Sequence, residues 1–388
     1  MVPKAVDGSE QEPYFFPLKV ALLSKDTNEL REKTLIISKK SEEFIFEGFE
    51  NEPVLSVNRD FSAPIIVEQE SNDFAYLMKH DTNSFVRYES AQSFGVETIE
   101  AIMRGEGINE AFVEAYGYLL DLEIDFSYKA LLLELPSIST LMQRQEVVDF
   151  EEIYKAKDSL AERLAIKYAN KLLSIYKTNH EPKSTSLDSL SMAKRSIKNR
   201  VLRTLSAFET DEVIALAKLQ YEESSTMTDR VAALDILENS KSDYTKLAFA
   251  DFYEKYKNDM LTMTKYFSLL CASNREGTLS RVIELQEDEA YDEKVPNLVR
   301  SLVGAFARNY KHFHAKDGSG YKFVADKIIE IDKINAQMAS GLAGVFKIYN
   351  RMNKRNKNLM KAELERVIST QSLSKNSFEI ISKILVKD

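Results

Sequence analysis

Apolar residues follow two different periods along this chain. From about residue 14 to 69 they fall in short runs interrupted by polar positions, as half-buried strands require. Leu18-Lys19-Val20-Ala21-Leu22 is one run and Thr34-Leu35-Ile36-Ile37 a second, while Phe44-Ile45-Phe46 follows the polar turn Lys39-Lys40-Ser41-Glu42. Val54-Leu55-Ser56-Val57 and Ile65-Ile66-Val67 complete a set of about five expected strands. Pro13, Pro17, Pro53 and Pro64 punctuate them, which suits strand ends and edges.

After Glu70 the period lengthens. Leu160, Leu164, Tyr168 and Leu172 recur every fourth residue, as do Ala193, Ile197, Val201 and Leu205, and these are the apolar stripes of amphipathic helices. Asp149 followed by Glu152 predicts a capped helix start, and Pro136 and the Glu181-Pro182 pair mark helix ends. Helices of ordinary length continue to Asp388 with no intervening sheet and no strict repeat. That pattern predicts a mainly α chain built as an α-solenoid.

Composition sharpens this picture. The 388 residues are 44% hydrophobic and 29% charged, an ordinary balance for a folded chain of one or two domains. A net charge of −9 argues against nucleic acid as a partner, since phosphate binding needs a positive surface. The single cysteine, Cys271, lies in an apolar helical run beside Phe267, Leu269 and Leu270 and reads as a small buried hydrophobe. No segment approaches the ~20 apolar residues of a membrane span. Met1-Val2-Pro3-Lys4 carries no signal core, so no membrane partner and a cytoplasmic location are expected.

Candidate chemistry is sparse. A zinc peptidase motif needs two imidazoles one helical turn apart with a carboxylate base beside the first. His80, His180, His312 and His314 are the available imidazoles; His180-Glu181 is broken by Pro182 and has serine at position 184. His312 and His314 with Asp317 form the one close pair, and His314 is expected to be a packed or capping residue between helices. Asp317-Gly318-Ser319-Gly320 lacks the lysine of a phosphate loop and reads as a turn, with Ser319 capping a helix that starts near Tyr321. Arg351, Lys354, Arg355, Lys357 and Lys361 read as a solvated helix face. No catalytic residue and no metal ligand is expected in this chain.

Several segments carry a resemblance that spans essentially the whole chain. Arg300 to Asp332, RSLVGAFARNYKHFHAKDGSGYKFVADKIIEID, is its densest part. Glu12 to Leu18, Phe61-Ser62-Ala63-Pro64, Asn83 to Gln92, Met227-Thr228-Asp229 with Ala232-Ala233-Leu234, Phe252-Tyr253 and Lys265-Tyr266-Phe267 extend it. Together they resemble the C-terminal portion of the bacterial alanyl aminopeptidases, the aminopeptidase N family of zinc metallopeptidases. Tyr88, Tyr256 and Tyr266 stand where that family often has tryptophan, and Ala336 replaces a usual proline.

The resemblance implies a partial Ig-like β-sandwich over residues 1–69 and an α-helical superhelix over 70–388. It implies a non-catalytic role: forming the cavity wall and controlling access in an enzyme that removes N-terminal residues from peptides. Zinc and the general base would lie in an N-terminal catalytic half, the expected partner, and this chain alone would be inactive. Arg300 matches a family arginine on the inner surface and is expected either to face the substrate channel or to form a structural ion pair. Gly341 departs from the family, which often carries a second cavity arginine there. Met1 falls after the family's first sandwich strands, so the sheet is expected to be incomplete, with an open edge beside Leu18, Val20 and Leu22. A stand-alone helical scaffold that binds a protein or peptide is the rival expectation.

Overall fold

Strand β1, Phe16–Leu23, is the centre of a three-stranded antiparallel sheet in the order β2-β1-β3, with β2 at Leu30–Ile37 and β3 at Val54–Val57. This computed structural model describes residues 12–27, 29–69 and 73–386; Met1 to Lys4 and Glu70 lie outside the described residues. Phe16 pairs with Ile37 and Leu23 with Leu30 on one side, and Leu23 with Val54 on the other. Leu18, Val20 and Leu22 therefore lie on the central strand, and among the described residues the edges belong to β2 and β3. The expected open edge beside them is corrected by this ladder.

Two expected strands do not form. Among the described residues, Phe44-Ile45-Phe46 and Ile65-Ile66-Val67 have no strand partner, and Ile45 and Ile66 are largely exposed. A short apolar run becomes a strand only where a neighbour satisfies its backbone groups and covers one face.

The chain divides into two compact units, Met1–Pro136 and Ser137–Asp388. In the first, helices α1 (Phe74–His80), α2 (Ser84–Met103), α3 (Glu110–Asp121) and α4 (Phe126–Leu132) follow the sheet. Ala21, Leu23 and Val54 from the strands share a core with Leu77 of α1 and Val86 of α2. The link runs through a tight turn in which Asn58, Asp60 and Phe61 all take positive φ. Such backbone is strained for L residues and persists only when its surroundings hold it. Here the Asn58 Oδ1 accepts from Ala63 N at 2.9 Å, and Asp60 accepts from Lys19 Nζ at 3.0 Å and Asn83 Nδ2 at 2.6 Å. Arg59 reaches the buried Asp81 at 2.7 Å, and the Asn83 Oδ1 caps α2 through Val86 N.

The second unit is helical throughout: α5 (Ile138–Gln143), α6 (Phe150–Thr178), α7 (Ser189–Leu205), α8 (Asp211–Glu223), α9 (Met227–Glu238), α10 (Tyr244–Tyr256), α11 (Met260–Cys271), α12 (Thr278–Glu284), α13 (Pro296–Arg308), α14 (Tyr310–Phe313), α15 (Ser319–Asp332), α16 (Ala336–Ala343), α17 (Lys354–Ile368) and α18 (Lys375–Leu385). Packing runs mainly between near neighbours, α6 on α7, α8 on α9, α11 on α13, α15 on α16 and α16 on α18, which is the solenoid arrangement. Leu160, Leu164 and Leu172 of the α6 stripe are buried, while Tyr168 sits at a kink with φ −112° and ψ 18°. All four members of the α7 stripe, Ala193, Ile197, Val201 and Leu205, are buried. Asp149 caps α6 by accepting from Glu152 N at 3.2 Å; its own N–H goes to Gln145 rather than back to Glu152.

One group of long-range contacts departs from the neighbour rule. Phe150 at the start of α6 stacks on His314, with centroids 4.2 Å apart, and Val148 bridges to Met352. The beginning of this unit is thereby fastened to its later helices.

Candidate functional site

Helix α13 carries opposite chemistry on its two faces. Pro296 opens it at the first turn, where a missing N–H costs nothing. Leu298, Leu302 and Phe306, spaced by four, are buried in the core. Arg300, Gly304 and Arg308 repeat the same spacing on the other face, and both arginines are exposed. Helix α16 lies beyond this face, its start fixed by the Asn335 side chain accepting from Met338 N at 3.0 Å. Ala339 and Ala343 of α16 point into the core, whereas Gln337, Met338 and Gly341 turn toward α13.

Between the two helices is a cleft of about 560 Å³. Volumes of this size suit a small ligand or the end of a peptide. Val299, Met338, Leu342 and Val345 give it apolar walls, and Arg300 and Arg308 supply positive charge. No aspartate or glutamate lines it. Arg300 Nη1 donates to Asn297 Oδ1 at 3.2 Å, and among the described residues neither guanidinium has a carboxylate partner. Gly341 leaves open space where a side chain would stand. Arg308 was not singled out by the sequence, although its helical spacing from Arg300, with Gly304 between them, carries the signal.

The histidines sit elsewhere and serve packing. His314 is buried, its Nδ1 lies 2.8 Å from the Tyr321 hydroxyl, and burial pushes its pKa down to about 3. His312 is also held below the ordinary imidazole value, by burial first and Lys311 second. His180 stacks on Tyr176 and is depressed by burial and by Lys198, whose ammonium forms a buried ion pair with Asp229 at 2.6 Å. Among the described residues no three His, Cys, Asp or Glu side chains converge as metal ligands, so the donor set does not fit a zinc site.

Two local expectations are corrected. Helix α15 begins at Ser319 itself, behind Gly318 with φ +77°, so Ser319 does not cap a later start. The Asp317 carboxylate instead accepts from both Ser319 N and Ser319 Oγ, at 3.0 and 2.7 Å. In the basic run, Lys354, Arg355 and Lys361 are exposed, but Arg351 donates to the Met142 and Gln145 carbonyls and so ties its segment to α5.

Residues 71–386 match the family described as domain of unknown function (DUF3458_C), ARM repeats, and residues 1–70 match its companion with an Ig-like fold. The chain is 28% identical to aminopeptidase N of Escherichia coli K12 and 29% identical to aminopeptidase N of Haemophilus influenzae Rd, each match covering 99% of this chain. The crystal structure of Legionella pneumophila aminopeptidase A in complex with aspartic acid superimposes on 96% of the chain with a TM-score of 0.87 and 26% identity. The chain belongs to the DUF3458_C family, and it resembles aminopeptidase N. It corresponds to the C-terminal portion and spans about half the length of these relatives, 46% in each case. The α13–α16 cleft lies within the residues that match the ARM-repeat family.

Proposed function

We propose that this chain is the non-catalytic C-terminal part of a zinc-dependent aminopeptidase that removes N-terminal residues from peptides. In this reading the face of α13 and α16 bearing Arg300 forms part of the wall of the peptide cavity and controls access to it. The observation that supports this most is the cleft itself. An exposed arginine without an acidic partner, set among apolar side chains, is a surface prepared for a ligand rather than for the fold. Zinc and the general base belong to the N-terminal catalytic half, which is the partner. The sheet-bearing segment 1–69 would join that half to the helical segment 70–388, and the enzyme would work in the cytoplasm.

Activity measurements test the reading. The chain alone should not hydrolyse alanyl or arginyl chromogenic substrates, with or without added zinc. In the assembled enzyme, Arg300→Gln should raise KM for tripeptides more than for a small chromogenic amide, because only the longer substrate reaches the wall. Equal effects on both substrates, or metal-dependent turnover by this chain alone, would contradict it.

A further inference from the structure

We propose that a second cleft, between α18 and the 3₁₀ segment Gly344–Arg351, binds a medium-chain carboxylate, its head held by Lys347 and its alkyl tail laid along Ile380 and Ile384. This goes beyond the cavity-wall reading, since the cleft shares no lining residue with the one between α13 and α16. Its volume is about 550 Å³, within the range of small-molecule sites. Both walls are fixed by the fold. Ser374 caps α18 by accepting from Ser377 N at 3.3 Å, and Ile381 anchors that helix in the core. Phe346 and Tyr349 are buried and hold the facing segment in place. Ile380 and Ile384, one turn apart, share the face of α18 that borders the opening.

Electrostatics favour an anion here. From Lys333 to Ala362 the sequence has seven lysines or arginines and no aspartate or glutamate, in a chain of net charge −9. The cleft takes Lys347 from this stretch, and its lining adds Lys383 and no acid. Lys383 already pairs with Glu379 at 2.5 Å, whereas Lys347 is exposed and meets no carboxylate in the lining. Lys347 is therefore the group left to hold an anion. An ammonium is a compact point charge on a flexible stem, which suits the carboxylate of a flexible ligand. The apolar wall calls for a tail. Val386, 81% exposed, extends the surface of Ile380 and Ile384 that an alkyl chain would take out of water. A peptide fits less well, because each of its N–H and C=O groups needs a partner on burial. The lining offers only Asn350 and Ser382 as neutral hydrogen-bonding side chains.

The two isoleucines supply reporters. The intact chain with isotope-labelled isoleucine methyl groups would be titrated with octanoate, octylamine and acetate, the cleft signals being assigned by Ile380→Val and Ile384→Val. Octanoate should shift these two signals saturably and leave the other isoleucines in place. Octylamine, with the tail and the wrong charge, and acetate, with the charge and no tail, should each bind at least tenfold more weakly. Lys347→Gln should weaken octanoate binding about fivefold, the upper end for an exposed ion pair. Lys383→Gln should cost less, because Glu379 already shares that charge. Circular dichroism should confirm that both exposed substitutions leave the fold intact. No saturable shift, shifts spread over all isoleucines, octylamine or acetate binding as tightly as octanoate, or an unchanged affinity in Lys347→Gln would overturn the proposal.

Discussion

His314 is kept neutral by its neighbours. Phe150 and Tyr310 stack along it, Phe313 and Tyr321 meet it edge-on, and burial lowers its pKa from 6.5 to about 3. The unfolded chain takes up a proton on this ring near pH 6.5, and the folded chain does so only near pH 3. Its contribution to stability is therefore complete above pH 6.5 and is lost progressively as pH falls from 6.5 toward 3. His314→Phe, which keeps the stacking but cannot titrate, should flatten the dependence of the urea midpoint on pH across that window. An unchanged slope would contradict the assignment. Asp332 is the other residue on which much rests: it accepts from Ser374 N, Ser374 Oγ and Ser377 Oγ, each at 2.6 Å, and docks α18 on α15. Asp332→Ala leaves these donors unpaired and should cost about 2–3 kcal/mol in urea unfolding.

At the scale of the element, the corner between α14 and α15 depends on a missing side chain. A Cβ at Gly320 would lie 2.5 Å from the Phe313 carbonyl oxygen and 2.6 Å from that of His312, both backbone atoms that cannot swing away. Alanine normally helps a helix by ~1 kcal/mol over glycine. Here the clash should win, and Gly320→Ala should destabilise the chain by about 3 kcal/mol in thermal or urea unfolding. The helices were legible because their stripes are long: Ala193 to Leu205 repeats over several turns and all of it is buried. The short runs Phe44–Phe46 and Ile65–Val67 misled because a three-residue apolar run carries no information about a partner strand. Tyr168 matched the stripe in spacing while the backbone kinks there, a tertiary effect that periodicity does not register. The cleft was legible only in part. Arg300 came from the family resemblance, whereas Arg308 looks like any solvated helix arginine until α16 is set beside it.

For the whole molecule, the compact units meet after Pro136, so α1 to α4 fold with the sheet. Leu77 and Val86 share the core of Ala21, Leu23 and Val54, and a cut at residue 70 would uncover them. A fragment of residues 137–388 should melt cooperatively with strong helical dichroism, because its near-neighbour packing is internal. A fragment of residues 70–388 should bind more of a hydrophobic dye, since α1 and α2 lose their cover; equal dye binding would argue against this account of the core. The central claim concerns partnership. The most direct measurement mixes this purified chain with the separately purified N-terminal catalytic half and follows hydrolysis of an alanyl chromogenic substrate alongside size-exclusion chromatography. Co-elution of the two parts and turnover that neither shows alone is the expected result. Two species that elute apart, with no gain in turnover at any ratio, would contradict it.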